Sequence, residues 1–441
     1  MPMKPAPNFD PAKIVPRDDA NIIIERSFRF LTYMFGGGVE VNGPEKPHDP
    51  VTPIRVASIR GQLRFWWRAC NPGRAPDVAA LREREAEIWG SCSKPSAVTI
   101  AVIQQPDGHT PVKVYGPDKK GRWVPLTDHL EMAYGAFPLK PGERDRGRTP
   151  GTLSSFRQPD FTVSVRIVNR HLEGRGVSVD EARAGIEEAL TAWSLFGGLG
   201  GRTRRGFGAI ERCDNISTTD AARNFLSELK GRVTPDGVPS LIGATLTLAP
   251  GRASAVEAWT RALGLLQSFR QGKSIGRGSG QGPRPGRSFW PEAEEIRRQT
   301  GSRAPKHEPL NSHVRRFPRA AFGLPIIFHF HPGTGDDPGS RGDPSDETLK
   351  PVKLNRFASP LILRPIREEQ HFVAIALRLT GTTVPDRLEL SPSPRCPADV
   401  RSRLTRDEAR TIRPMSSGDT GDVIEAFLGH FDQSKKNRRQ Q

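Results

Sequence analysis

The stretch SLFGGLGGRTRRGFGAI, residues 194–210, constrains the fold of this chain more than any other. Residues 197–208 hold six glycines and three arginines, Arg202, Arg204 and Arg205, without one acid. Glycine has the most backbone freedom to lose on ordering. Such a loop orders around its own fold or around an anion. The residues before it, Asp180–Phe196, open on an acidic turn, carry a helical apolar period and stop at Gly197. GFGAIER, after it, reads as a closing strand. The same plan recurs downstream. Ala253–Arg270 reads as an amphipathic helix with Trp259, Leu263, Leu266 and Phe269 inward. QGKSIGRGSGQGPRPGRS, residues 271–288, follows with six more glycines, Lys273, Arg277, Arg284 and Arg287, again without an acid.

Other segments fill in the two units. Asn21–Phe35 alternates Ile22, Ile24, Phe28 and Phe30 onto one face, with Arg26 as the exception, and reads as a strand. VASIRGQLRFWWRAC, residues 56–70, reads as a helix with an Ile59–Leu63–Trp66–Cys70 stripe. Arg60, Arg64 and Arg68 repeat every four residues on a neighbouring face, with Trp67 nearer to them than to the core stripe. Ala79–Trp89 is a second helix, and Ala97–Gln104 and Phe161–Val168 are strands. Leu241–Ala249, AFGLPIIFHF, RFASPLILRPI and HFVAIALRLTG continue the strand pattern, and a final helix spans about Asp422–Phe431. The class is α+β with two modules. They are placed at 1–213 and 241–431, joined by a linker at 214–240. A flexible insert lies at 332–348 and a basic tail at 432–441.

The charge balance, 66 Lys and Arg against 49 Asp and Glu for a net +17, calls for a polyanionic partner. With 44 glycines and 41 prolines the chain is rich in long loops. No apolar run reaches 18 residues, so no membrane span is expected. The amino terminus lacks a signal-peptide core. The four cysteines, Cys70, Cys92, Cys213 and Cys396, form no CxxC, which fits a reducing cytoplasm.

Nucleotide folds fit poorly. Gly201–Gly206 has the Walker A gap, but Phe207 stands where Lys is needed. Gly272-Lys273-Ser274 ends like a Walker A, yet Gln267 occupies its first glycine position and a helix precedes it. No strand enters either loop, so the dinucleotide fingerprint fails too. The remaining readings are a solvated glycine hinge and a phosphate cradle, in which backbone N–H groups and arginines meet phosphates. Beside the loops, arginines next to tryptophan on residues 60–68 suit phosphate contact with base stacking, or arginine stems covering a core.

Catalytic constellations are sparse. His329 and His331 form an HxH without a third ligand and read as structural. Gly335-Asp336-Asp337 falls in the insert and reads as a mobile loop. His48-Asp49 stands alone, and Glu83, Glu85 and Glu87 read as a solvated helix face. We find no nucleophile motif, no cofactor motif and no metal site.

GGLGGRTRRGFG resembles the glycine-rich signature of the RAMP superfamily of CRISPR proteins. VASIRGQLRFWWRAC, GQGPRPGRSFWPE (Gly280–Glu292), FPRAAFGLPI (Phe317–Ile326) and FASPLILRPI (Phe357–Ile366) resemble blocks of the two-domain, first-numbered RAMP subunit of the type III-B (Cmr) effector complex. The resemblance implies two tandem ferredoxin-like (RRM-like) modules and a non-catalytic, RNA-binding role near the 3′ end of the guide RNA. It implies guide RNA, target RNA and other RAMP subunits as partners in antiviral defence, and no cofactor. Carried over residue by residue, Arg60, Arg64, Trp67 and Arg68 fall in or beside the first block. Gly200, Gly201, Arg202, Arg204 and Arg205 fall in the loop. Lys273, Arg277, Arg284 and Arg287 fall in or beside the third. These are the candidate RNA contacts. The competing readings are a RAMP-type endoribonuclease using His48 or His171, and a scaffold whose basic loops dock acidic neighbours.

Overall fold

The structure is a computed structural model. It describes residues 21–36, 52–141, 149–214, 217–280, 286–301, 310–311, 313–330, 343–352, 354–385, 387–391, 401–416 and 419–433. The first module starts with β1 (Ile22–Phe30) and a short β2 (Met34–Phe35), followed by α1 (Val56–Cys70) and α2 (Val78–Trp89). Then come β3 (Val98–Gln104), β4 (Asp107–Val112), the hairpin β5 (Tyr115–Pro117) and β6 (Trp123–Pro125), and α3 (Leu130–Gly135). β7 (Leu153–Gln158), β8 (Asp160–Ile167), α4 (Val179–Phe196) and β9 (Ile210–Arg212) complete it. Its main sheet is antiparallel, in the order β3-β8-β1-β9.

Alternation builds this sheet. Ile24 and Ile100 both pair with Val165, on one buried face. Phe28 pairs with Phe161, their rings stack at 5.5 Å, and Trp193 of α4 lies 4.9 Å from Phe28. The other face carries Ile23, Glu25, Arg29, Thr99, Ala101 and Arg166, all exposed, and no aromatic ring. α1 lays Ile59, Leu63, Trp66 and Trp67 into the core, each worth about 1.5–3 kcal/mol or somewhat more for the indoles. It ends at Asn71, a residue type that accepts the left-handed conformation found there.

The second half of the chain follows α5 (Thr219–Glu228). β10 (Ser240–Leu248), α6 (Ala255–Gln271) and α7 (Glu292–Thr300) lead to β11 (Ile326–Phe328) and β12 (Glu347–Pro351). β13 (Leu361–Glu368), β14 (His371–Thr380), β15 (Leu388–Ser391), α8 (Arg406–Thr411) and α9 (Val423–Gln433) follow. The order β10-β14-β13 forms its main sheet. α4 and α6, the helices before the two basic loops, begin with the same capping box, Ser178/Glu181 and Ser254/Glu257. The protein is thus α+β, with several small antiparallel sheets.

Three expectations change. The segment 214–240 is no simple linker: α5 lies in it and buries Ala222 and Phe225 in the main core. The insert placed at 332–348 is partly ordered, since Glu347 starts β12 and Asp343 accepts from Arg297 at 2.6 Å. The Asn21–Phe35 strand is interrupted between Phe30 and Met34. Residues 331–342, with His331 and Asp336-Asp337, and residues 434–441 of the tail lie outside the described residues. Among those described, no helix is long and apolar enough to cross a membrane.

The two main sheets share one hydrophobic core, running from Ile24 and Trp193 to Ile366 and Leu377. Arg364 of β13 crosses the junction. It is fully buried and donates to the carbonyl oxygens of Gly197 (2.9 Å) and Ile210 (2.5 Å), at either end of the glycine loop. Beside it, Arg367 pairs with the buried Glu211 at 2.7 Å. Arg364→Ala would strand two buried carbonyls and open a cavity. Urea denaturation should show a loss of about 3 kcal/mol or more, whereas a surface control such as Arg223→Ala should stay within about 0.5 kcal/mol.

Candidate nucleic-acid interface

The glycine loop is built from the inside. Thr32 donates to Gly206 O at 2.6 Å, Trp193 Nε1 to Gly198 O at 3.1 Å and Trp259 Nε1 to Arg205 O at 2.7 Å. Gly206 has φ +79°, and a Cβ there would sit 2.6 Å from the Trp259 ring. Gly208 has φ +60°, and a Cβ would meet Leu199 O at 2.0 Å. Glycine is demanded at both by conformation and by space.

The arginines of the loop mostly face inward too. Arg205 donates to Phe322 O (2.6 Å) and Leu361 O (3.1 Å) of the second module. Burial, then the neighbouring Arg270 and Arg202, push its guanidinium down to about 9, which leaves it charged at neutral pH. Arg204 donates to Ser359 O, and its guanidinium lies over Phe65 at 5.5 Å. Arg202, at φ +57°, lies over the Phe137 ring at 5.7 Å, and burial lowers its pKa. Gly201 N donates to Phe35 O at 2.7 Å, and Gly200 adjoins the same residue.

The arginine face of α1 is also engaged. Arg60 donates to Trp89 O (2.5 Å), Ser96 Oγ (2.9 Å) and Val98 O (3.1 Å). Arg64 and Arg68 converge on one oxygen of Glu85, at 2.6 and 2.5 Å. Glu85 is 5% exposed, which corrects the solvated face expected for it: α2 packs on α1 and turns this carboxylate into the counter-ion of two arginines. Trp67 needs a correction as well. It is 1% exposed and packs against Gly185 of α4, so no base can stack on it. In the second loop, Lys273 is exposed, Arg277 bridges Ser288, and Arg287 pairs with Glu294 at 2.7 Å. Arg284 lies outside the described residues.

What the structure does bring together is a different stripe of α1. Ser58, Gly61, Gln62 and Phe65, spaced three and four apart, face the glycine loop across two depressions that share Gln62. The larger, about 510 Å³, is lined by Ser58, Gly61 and Gln62 with Phe35, Gly200 and Gly201, and has Arg55 at its rim. The smaller, about 110 Å³, is lined by Gln62, Phe65 and Trp66 with Gly197, Thr203 and Arg204. Trp66 is 2% exposed and its indole N–H has no partner. Among the described residues no carboxylate lines either depression, whereas cavities elsewhere include Glu228 or Glu181 and Glu188. Lys273, Arg277 and Arg287 line neither. The sequence held one unread signal for this stripe: a glycine in the middle of a helix, which costs about 1 kcal/mol relative to alanine.

His171 is elsewhere, with Nδ1 2.8 Å from Ser96 O, and His48 lies outside the described residues. Exposed His329 pairs with Asp346 at 2.7 Å. Among the described residues no three His, Cys, Asp or Glu side chains are grouped to hold a metal ion.

The stretch from β1 to β9, with the glycine loop in it, is matched by sequence comparison. Residues 27–211, a little under half of the chain, match the family model described as the RAMP superfamily. Among solved structures, the chain is similar to Cmr1 from Pyrococcus furiosus in its apo form, with 15% identity and a TM-score of 0.42 over 89% of this chain and 96% of that one. It is also similar to a chain of the type III-B Cmr-beta complex bound to cognate target RNA, with 10% identity and a TM-score of 0.41 over 91% and 100%. Cmr6 from Pyrococcus furiosus matches over 44% of this chain and 98% of its own, at 15% identity and a TM-score of 0.23. No curated protein matches.

The shared carboxylate gives a test of the α1–α2 contact. Glu85→Gln should lower stability by about 2 kcal/mol in urea titration, because two part-exposed arginines lose their buried counter-charge. Arg82→Ala, on the outer face of the same helix, should change it by less than about 0.5 kcal/mol.

Proposed function

We propose that this chain is a non-catalytic RNA-binding subunit of a type III-B CRISPR RNA-guided interference complex, placed near the 3′ end of the guide RNA and helping to capture target RNA. The observation that carries the reading is the groove between the Ser58–Phe65 stripe of α1 and the glycine loop, whose lining among the described residues holds no carboxylate. A net charge of +17 supplies the long-range attraction for a polyanion, and the groove supplies an amide, a hydroxyl and an aromatic ring. Sequence is then read by base pairing between guide and target, while the protein holds backbone and shape.

The order β3-β8-β1-β9 around α1 and α4 supports a ferredoxin-like first module, and β10-β14-β13 around α6 and α9 supports a second that is one strand short. RRM-type recognition stacks bases on sheet aromatics. The open sheet face here has Ile23, Glu25, Arg29 and Arg166 instead, so the groove is the better RNA site. The free thiols of Cys92 and Cys213 agree with a reducing cytoplasm. Other RAMP subunits and guide and target RNA are the partners in this reading.

Photocrosslinking tests it. Guide and target RNA labelled with 4-thiouridine should give adducts within residues 58–65 and 199–204. Phe65→Ala with Gln62→Ala should weaken RNA binding about tenfold, since one stacked base is worth about 1–3 kcal/mol. Absence of adducts there, with unchanged affinity, would sink the assignment. Site-specific cleavage of repeat RNA in EDTA that is lost on His171→Ala would instead favour the endoribonuclease.

A further inference from the structure

The glycines of the loop are explained by their surroundings, and Gly61 is not. It sits in the middle of α1, is exposed, and a Cβ built on it would have no heavy atom of the described residues within 4 Å. Packing does not require a glycine here, and helix propensity opposes one. Its Cα lies on the wall of the 510 Å³ depression, opposite Gly200 and Gly201 and one turn from Ser58 and Phe65.

We infer that Gly61 is kept free of a side chain so that the sugar–phosphate backbone of a single RNA strand can lie directly on α1, pressed between this helix and the glycine loop. This rests on the RNA-binding reading above and adds the strand's path to it. Glycine admits the close approach of another backbone. The contact is steric and sequence-independent, because every nucleotide presents the same ribose and phosphate. A base attached there would project along the stripe toward Phe65 and Arg204, whose stacked arrangement at 5.5 Å forms the far wall.

The structure supplies its own control. Gly429 of α9 is also exposed in a helix with nothing within 4 Å, and it lines neither depression. Gly61→Ala and Gly429→Ala should each raise Tm, by about 1–2 °C, through helix propensity. They should part in binding of fluorescein-labelled single-stranded 20-mer RNAs of two unrelated sequences to the full chain. Gly61→Ala should weaken both by about tenfold, the effect of forcing a methyl into a close contact. The slope of log affinity against log salt should not change, since no charge is removed. Gly429→Ala should bind as the parent does. Wild-type affinity in Gly61→Ala, or an equal loss in both variants, overturns the inference. A parent chain that binds neither RNA removes the RNA-binding reading itself.

Discussion

The junction between the modules is held by arginines captured by carbonyl oxygens, and the rest of the structure depends on that exchange. Arg364 reaches from the second module to Gly197 and Ile210 in the first. Arg204 and Arg205 reach back to Ser359, Leu361 and Phe322. A buried guanidinium is costly unless its donors are filled, and charge-assisted bonds to neutral carbonyls fill them in a fixed geometry. The loop is therefore shaped from both sides, and Ile362 of the second half lines the smaller depression beside it.

That arrangement divides the work of the basic residues. Most arginines that draw the eye in the sequence are bonded inside the protein or to a paired acid. The groove itself is lined mostly by small, neutral and aromatic side chains, with Arg55 and Arg204 as the two arginines among them. Net positive charge and direct contact are separate physical roles. The first acts over a Debye length through the whole molecule's field, and the second acts within hydrogen-bond reach.

Much of this was legible in advance. The helix expected over residues 56–70 is found as Val56–Cys70, and the helix before each basic loop lies within two residues of its expected limits. The periodicity of buried positions carries such information well. The surroundings of α1 were harder. A single helix shows two candidate polar faces, and only the packing of α2 decides that Arg64 and Arg68 are tied to Glu85 while Gly61 stays exposed. Trp67 was misplaced for the same reason: α4 covers the side that one helix period leaves undecided. α5 went unseen because its apolar residues are few and its turn signals are polar.

The position of β10 has one more consequence. It packs against α1 and α5, with Ser240 donating to Ala69 O at 3.2 Å. Each module thus completes the other's desolvation, as subunits of an obligate dimer do. The covalent connection after β9 adds local concentration to an association that the surfaces already define.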